Sequence, residues 1–420
     1  MPSGRESSEP SARLGRVRRL VRLSAFALLV AALLVPAALG GGPTLAEQLA
    51  TALQSPKIDP AKTGAVVYDL QTGKVVFALH AELPLHPASN EKIATTYAAL
   101  TALGPSFRID TDVLGDGTQN GTKWQGDILL KGYGDPTLSA TELRSLAHQV
   151  AQDGITRVNG RVIGDESWFD TRRTGAGWKR AFYLHESPAL SALIVDRGWA
   201  GYEETDPALY AAQLFRRDLV DAGVSVRGPA LTGVADANAQ ALGYIVSPPL
   251  ASLVRFMDTW SDNFTAEMLL KQVGAVQRRA GTAAAGAAET RELLSVAHVP
   301  LAGIRIVDGS GLSRIDRWTV AGLADLLRRM WLDPDIAPRI VASLPVAGVS
   351  GTLEYRMRSG PAYGYVRAKT GTTNLASALS GFVGDRYVFS VVENGHKVKL
   401  KAAQRTQDAF AQVLARAARS

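Results

Sequence analysis

The chain has 420 residues, 46 % of them apolar, enough for a sizeable core and for two or three domains. It has no cysteine, so disulfides, thiolate metal sites and a cysteine nucleophile are excluded. Its formal charge of +7 is concentrated at the start: six arginines against Glu6 and Glu9 place +4 before residue 40, and the remaining +3 is too weak and scattered for nucleic acid.

That basic start carries Arg5, Arg13, Arg16, Arg18, Arg19 and Arg22 and is followed by the apolar run "LSAFALLVAALLVPAAL", Leu23 to Leu39. Ala38-Leu39-Gly40 then supplies small residues. A basic flank, an apolar middle and a small-residue end predict a secretory signal. The run of 17 residues also reaches the lower limit for spanning a bilayer, so residues 1–42 are read as a cleaved signal or an uncleaved anchor. Either way the body is expected outside the cytoplasmic membrane, touching it only through this segment.

"LAEQLATALQSP" predicts a short amphipathic helix. Gly64–Leu70 and Val75–His80 alternate as two strands around a turn at Gln71-Thr72-Gly73. From Ser89 the text turns helical, with Ile93, Ala94, Tyr97, Leu100 and Leu103 at helical spacing and a stop at Gly104. Residues 109–241 read as a mixed α/β block inserted into another domain, with "RVNGRVIGD" strand-like and Ala208–Ala222 helical. "SPPLASLVRFMDTWSDNFTAEMLLKQVGA" is helical again. "PLAGIRIVDGSGLSRIDRWT" reads as a strand running into a loop, and "TVAGLADLLRRMWLDP" as a helix. "AYGYVRAKTGTTNLASALSGFVGDRYVFSVVEN" reads as two or three antiparallel strands before a closing helix. Strands at both ends of the chain predict one sheet assembled from the two termini. Residues 43–108 and 242–420 would then form one domain around the insertion.

Three short patterns carry chemistry. Ser89-Asn90-Glu91-Lys92 puts a hydroxyl and an amine on one face of a helix, i and i+3. A serine hydroxyl needs a base, and a lysine serves if burial or nearby positive charge lowers its pKa. By itself the pattern is expected about once in a chain of this length, and a capping serine followed by a surface lysine is the plain alternative. Ser261-Asp262-Asn263 offers a hydroxyl and an amide two residues apart at a helix end. Lys369-Thr370-Gly371-Thr372 lies on a strand, with Lys369 and Gly371 on one face and Thr370 and Thr372 on the other. Glycine there lets the strand backbone approach another group. An earlier copy, Lys62-Thr63-Gly64, lacks a following hydroxyl and precedes the serine, so it is assigned a structural role.

In this order the three patterns are the signature of serine acyl-transferring penicillin-binding proteins and β-lactamases. With "GDPTLS", "GDESWFD", "SALIVDRGW", "SPPL", "SDNFTAEMLL", "VDGSGLSR" and "RAKTGTTNLASALSGFV", the chain from about residue 60 onward closely resembles the D-alanyl-D-alanine carboxypeptidase/endopeptidase family of low-molecular-mass class C penicillin-binding proteins. The resemblance implies an α/β (α+β) fold: a transpeptidase/β-lactamase-like domain, with an antiparallel sheet flanked by helices, plus the inserted domain. It implies Ser89 as the acylated nucleophile, Lys92 as its base, and Ser261 and Asn263 as proton relay and substrate holders. Lys369 would support the electrostatics, Thr370 and Thr372 would grip the terminal carboxylate on the Gly371 strand, and the N–H groups of Ser89 and Thr372 would form the oxyanion hole. The implied partners are peptidoglycan stem peptides, with β-lactams as covalent inhibitors, and no metal or organic cofactor is required. A β-lactamase or esterase on the same fold, and an inert cell-envelope binding module, are the competing readings.

Two departures from the family pattern stand out. Members usually carry two extra domains between the first and second motifs, whereas residues 89 to 261 leave a short interval, with the gap falling after "ALIVDRGW". Gly198 stands where the family often has Asn. The Asp308–Ser313 loop is expected to be structural and near the cleft. The six histidines, His80, His86, His148, His185, His298 and His396, form no pair at metal-ligand spacing.

Overall fold

The computed structural model describes residues 42–199 and 205–420; the N-terminal basic and apolar segment lies outside them. Helix α1 (Leu45–Ala52) opens with a Thr44/Glu47 capping box. Strands β1 (Thr63–Asp69) and β2 (Val75–Leu79) form the predicted hairpin. A 3-10 turn at Ala88–Glu91 runs straight into α2 (Lys92–Leu103), which stops at Gly104 with φ +84°. Nine residues of α2, Lys92 to Leu100, are buried. A helix apolar nearly all round has no water-facing side, and α2 accordingly runs through the main core, against Leu253, Leu269, Leu323 and Phe382.

Next come β3 (Asp110–Asn120) and β4 (Lys123–Gly132), α3 (Ala140–Gln152), β5 (Arg157–Val158), β6 (Val162–Asp165), α4 (Pro207–Asp221), β7 (Ser225–Val226), β8 (Ala230–Thr232) and β9 (Gln240–Val246). They build a mixed seven-stranded sheet, antiparallel through β4-β3-β9 and parallel through β5 to β8. α3 and α4 bury Leu143, Leu146, Phe215 and Leu219 against Trp124 and Ile128 in a separate core.

The chain then returns through α5 (Leu250–Trp260), α6 (Asn263–Arg278), α7 (Ala283–Val296), α8 (Val320–Leu332) and α9 (Ala337–Ser343) to β10 (Val366–Thr372), β11 (Ala376–Val383), β12 (Tyr387–Asn394) and α10 (Leu400–Arg419). The strand order β10-β11-β12-β1-β2 is antiparallel throughout, so the sheet does join the two ends of the described chain. The α/β fold, with an antiparallel sheet flanked by helices and a second α/β region, is as the sequence predicts.

One element differs. The strand expected within residues 300–319 is absent: Arg305↔Arg317 and Leu85↔Trp318 make single bridges only. The expected loop that follows is present: Asp308 accepts from the N–H groups of Gly311 (2.8 Å) and Ser313 (2.7 Å) and holds it.

The earlier Lys-Thr-Gly copy sits inside this sheet. Thr63 pairs with Glu393, Glu393 with Ser377, and Ser377 with Thr372. Thr63 therefore shares a row with Thr372 but lies three strands away, about 14 Å at ordinary strand spacing. Lys62 pairs with Asp59 at 3.3 Å, and Gly64 packs against Leu85 and Val320. It is a structural strand start.

Candidate active site

Ser89 opens the α2 helix, one residue after Ala88, whose φ of +46° turns the loop sharply into it. Lys92 follows one turn later with its side chain wholly buried. Its Nζ lies 3.1 Å from Ser89 Oγ, 2.8 Å from Asn263 Oδ1 and 2.7 Å from the carbonyl of Ser310. Three acceptors match the three protons of an ammonium. Burial nevertheless pulls Lys92 down to about 8, against the opposing pull of Asp308, Asp262, Glu267 and Asp258. A lysine at that value is a competent proton acceptor near neutral pH.

Ser261 and Asn263 reach the same point from the α5–α6 junction. Ser261 caps α5 in the left-handed region (φ +59°), and Asp262 caps α6, accepting from the Thr265 N–H at 2.7 Å. The tight turn lets the flanking Ser261 and Asn263 face inward while Asp262 faces away. Asp262 is held by Arg197 Nη2 at 2.6 Å, and the Arg197 guanidinium lies 4.8 Å from the Phe264 ring centre. Asn263 Nδ2 donates to the Glu186 carbonyl at 2.9 Å, which leaves Oδ1 for Lys92.

Lys369 approaches from β10. Its Nζ lies 2.8 Å from Ser261 Oγ and 3.0 Å from the Thr370 carbonyl. Burial first, then repulsion from Lys92, holds this amine well below the ordinary lysine range, while Asp258 opposes them. Asp258 itself is pushed up to about 6 by burial, and accepts from Thr96 and Ser343 hydroxyls at 2.8 Å each. Gly371 is where β10 meets the Ser89 turn: a Cβ there would stand 2.8 Å from the Pro87 carbonyl oxygen and 3.2 Å from Ala88 Cβ. Thr370 Oγ1 donates to Thr352 Oγ1 at 2.7 Å.

A cleft of about 410 Å³ opens over these groups, lined by Ser89, Ser261, Asn263, Thr370 and Thr372, and also by Glu186, Leu312, Thr352, Arg356 and Gln404. All eight residues singled out in the sequence are thus gathered at one place, with Lys92 and Lys369 beneath the floor and Gly371 at the strand–helix contact. The last five lining residues come from loops and from α10, where no spacing in the sequence marks them. No sequence spacing marks Glu267 either, although it stands one helical turn after Asn263, on the same face of α6. Among the described residues no cluster of His, Asp or Glu has the arrangement to hold a metal ion.

A serine hydroxyl against a depressed lysine, with a second buried lysine and an amide closing the ring, is an arrangement that suits acyl transfer. The profile of the D-Ala-D-Ala carboxypeptidase 3 (S13) family matches residues 45–206 and 200–417. The chain belongs to that family. It is an enzyme of the serine-peptidase type. A D-alanyl-D-alanine carboxypeptidase of an Actinomadura species is 33 % identical over 489 aligned positions, covering 93 % of this chain and 90 % of that one. Penicillin binding protein 4 (dacB) from Haemophilus influenzae superposes with a TM-score of 0.81 at 21 % identity, over 90 % of this chain and 99 % of that one, and has the same fold. Its complex with a novel β-lactam superposes with a TM-score of 0.72 at 20 % identity over the same shares.

The two profile matches meet at residues 200–206, and the Actinomadura alignment is longer than this chain. The alignment length shows that the relative carries sequence this chain lacks, and the break between the two profile matches falls at the junction after Trp199, where the resemblance predicts a missing nested domain. Gly198 just before it has φ +71°. Asn is the other residue that tolerates this left-handed conformation, so exchanging Asn for Gly keeps the backbone path.

Proposed function

We propose that the chain is an exported serine D,D-carboxypeptidase and D,D-endopeptidase that cleaves D-Ala-D-Ala type bonds in peptidoglycan stem peptides and is acylated by β-lactams. The observation that carries this reading is the buried Lys92 amine within reach of Ser89 Oγ, Asn263 and the Ser310 carbonyl at the floor of an open cleft.

In the proposed cycle the neutral Lys92 takes the Ser89 proton as Oγ attacks the penultimate D-Ala carbonyl. Negative charge developing on that oxygen is met by the N–H groups of Ser89, at a helix N-terminus, and Thr372, at the strand end. Lys369 and Ser261 pass a proton toward the leaving amine, Asn263 holds the substrate amide, and Thr370 and Thr372 receive the terminal carboxylate. Loss of D-Ala leaves an ester on Ser89, which water hydrolyses with Lys92 again as base. A β-lactam would enter by the same attack and stop at the ester. Export is supported by the basic and apolar N-terminal segment. Among the described residues no helix is long and apolar enough to cross a membrane, so contact with the bilayer would come from residues 1–42. We read residues 43–108 and 242–420 as the catalytic domain and 109–241 as the insertion. The insertion's separate sheet, whose last strand runs on to Val246, and its separate core support this division.

The test is the intact mass of the purified body, from about residue 43, after benzylpenicillin, followed by peptide mapping. One adduct, on Ser89 and absent from Ser89→Ala, is expected. No adduct with no drug consumed would refute acyl transfer, and drug consumed without an adduct would point to β-lactamase turnover.

A further inference from the structure

Lys92 depends on one contact from outside the three catalytic patterns, the carbonyl of Ser310 at 2.7 Å. That carbonyl belongs to a loop with little freedom. Gly309 lies flat against the α6 backbone, where a Cβ would stand 2.5 Å from the Ala266 carbonyl oxygen, and Gly311 (φ +79°) lies against the Ala88 carbonyl. The loop is thus wedged between α6 and the start of the Ser89 helix. Its peptide groups are then fastened. Glu267 Oε1 accepts from the N–H groups of Gly309 (3.1 Å) and Ser310 (2.9 Å), and Thr95 Oγ1 donates to the Gly309 carbonyl at 2.8 Å. Glu267 is fully buried on α6, one turn after Asn263, so a single helix face sets two of the three acceptors around Lys92 Nζ: Asn263 directly and Ser310 through Glu267.

We infer that Glu267 is a positioning residue for acylation: its carboxyl clamps the Gly309–Ser310 peptide groups so that the Ser310 carbonyl aims Lys92 at Ser89. This rests on the proposed roles of Ser89 and Lys92. Burial, then the neighbouring Asp308, push Glu267 up to about 8, so the clamp is uncharged near neutral pH. A neutral carboxyl differs little from an amide in shape and in the acceptor it offers, and this makes a sharp test possible.

The experiment measures acylation by a fluorescent penicillin, resolved into the drug's apparent dissociation constant and the limiting acylation rate, for wild type, E267Q, E267A and T95V, each with a melting curve. E267Q keeps the acceptor and is expected within about threefold of wild type. E267A frees both N–H groups, and its limiting rate is expected to fall about 10- to 100-fold with little change in the dissociation constant, in line with the cost of a sub-ångström misplacement. T95V is expected to lose about three- to tenfold in the same parameter. A folded E267A acylating at the wild-type rate would overturn the inference, as would an E267Q as slow as E267A. Should E267A not fold, T95V decides: a wild-type limiting rate overturns the clamp. Failure of the underlying reading is separately visible, because wild type itself would then form no Ser89 adduct.

Discussion

Replacing Gly371 by Ala tests whether the contact between β10 and the Ser89 turn sets the reaction geometry. The added Cβ would stand 2.8 Å from the Pro87 carbonyl oxygen, whereas ordinary contact begins at 3.4 Å, so the strand edge and the turn must part by about 0.6 Å. Both obstructing groups on the turn, Pro87 O and Ala88 Cβ, are fixed to backbone and cannot swing aside as a flexible side chain would. Overpacking of this size costs about 1–3 kcal/mol in stability, or a few degrees in Tm for a chain of this length. The effect on chemistry is expected to be larger. The shift separates the Ser89 N–H from the Thr372 N–H, and a misplacement approaching 1 Å costs about 100-fold in rate. We expect acylation by benzylpenicillin to fall about 10- to 100-fold in Gly371→Ala, measured by stopped flow, while the melting curve stays cooperative. The added Cβ would also stand 3.0 Å from Ala378 Cβ; the Gly371→Ala, Ala378→Gly double variant removes that contact but not the one with Pro87, and should recover little activity. Acylation within threefold of wild type in the single variant, or full recovery in the double variant, would refute the reasoning.

Lys92→Met should lower the acylation rate by about 10²- to 10⁴-fold with the fold intact, the range expected for loss of a general base; a tenfold loss or less would exclude Lys92 from that role. In wild type the amine accepts a proton only when neutral, so acylation should rise with pH up to about 8 and fall about tenfold per unit below it. A flat profile between pH 6 and 9 would count against it. Arg197→Gln breaks the 2.6 Å pair with Asp262 and the stacking on Phe264, and should lower Tm by a few degrees and acylation about fivefold. Glu393, buried beneath Thr406 and Gln407, is pushed up to about 7 by burial. Its folded value lies above its unfolded one, so its contribution is complete below about pH 4.5 and is lost as pH rises through about 7. The Tm difference between wild type and Glu393→Gln should therefore move against wild type from pH 5 to 8; a constant difference would refute this.

Much of this was legible in the sequence because the chemistry is written in local patterns. Ser89 and Lys92 share a helix face, Ser261 and Asn263 flank a helix cap, and alternation on β10 separates Lys369 from Thr370. The hairpin, the Ser89 helix and the C-terminal strands announce themselves by periodicity and by turn residues such as Gly104. What remained hidden depends on contacts across long separations. The segment before the 308–313 loop reads as a strand, and only its packing shows that it makes no more than single bridges. Glu267 reads as one polar residue in a helix, and its role exists only because the Gly309–Ser310 peptides arrive against α6. Thr352, Arg356 and Gln404 belong to the cleft through the packing of α10 and its neighbouring loop. Arg197 owes its place to a left-handed run, Asp196, Arg197 and Gly198 all at positive φ, that no propensity would favour.

The row that joins Thr63 to Thr372 through Glu393 and Ser377 has a further consequence for how the molecule is made. β1 emerges early from the ribosome, yet among the described residues its neighbours are β2 and β12, the latter more than 300 residues later. Until β12 appears, the hairpin presents an open apolar edge, which is an invitation to mispair. The helix bearing Ser89 also waits for its partner strand, because β10 is likewise made late. Closing so distant a pairing is slow by topology alone, and a product truncated before β12 would leave the β1 edge unpaired.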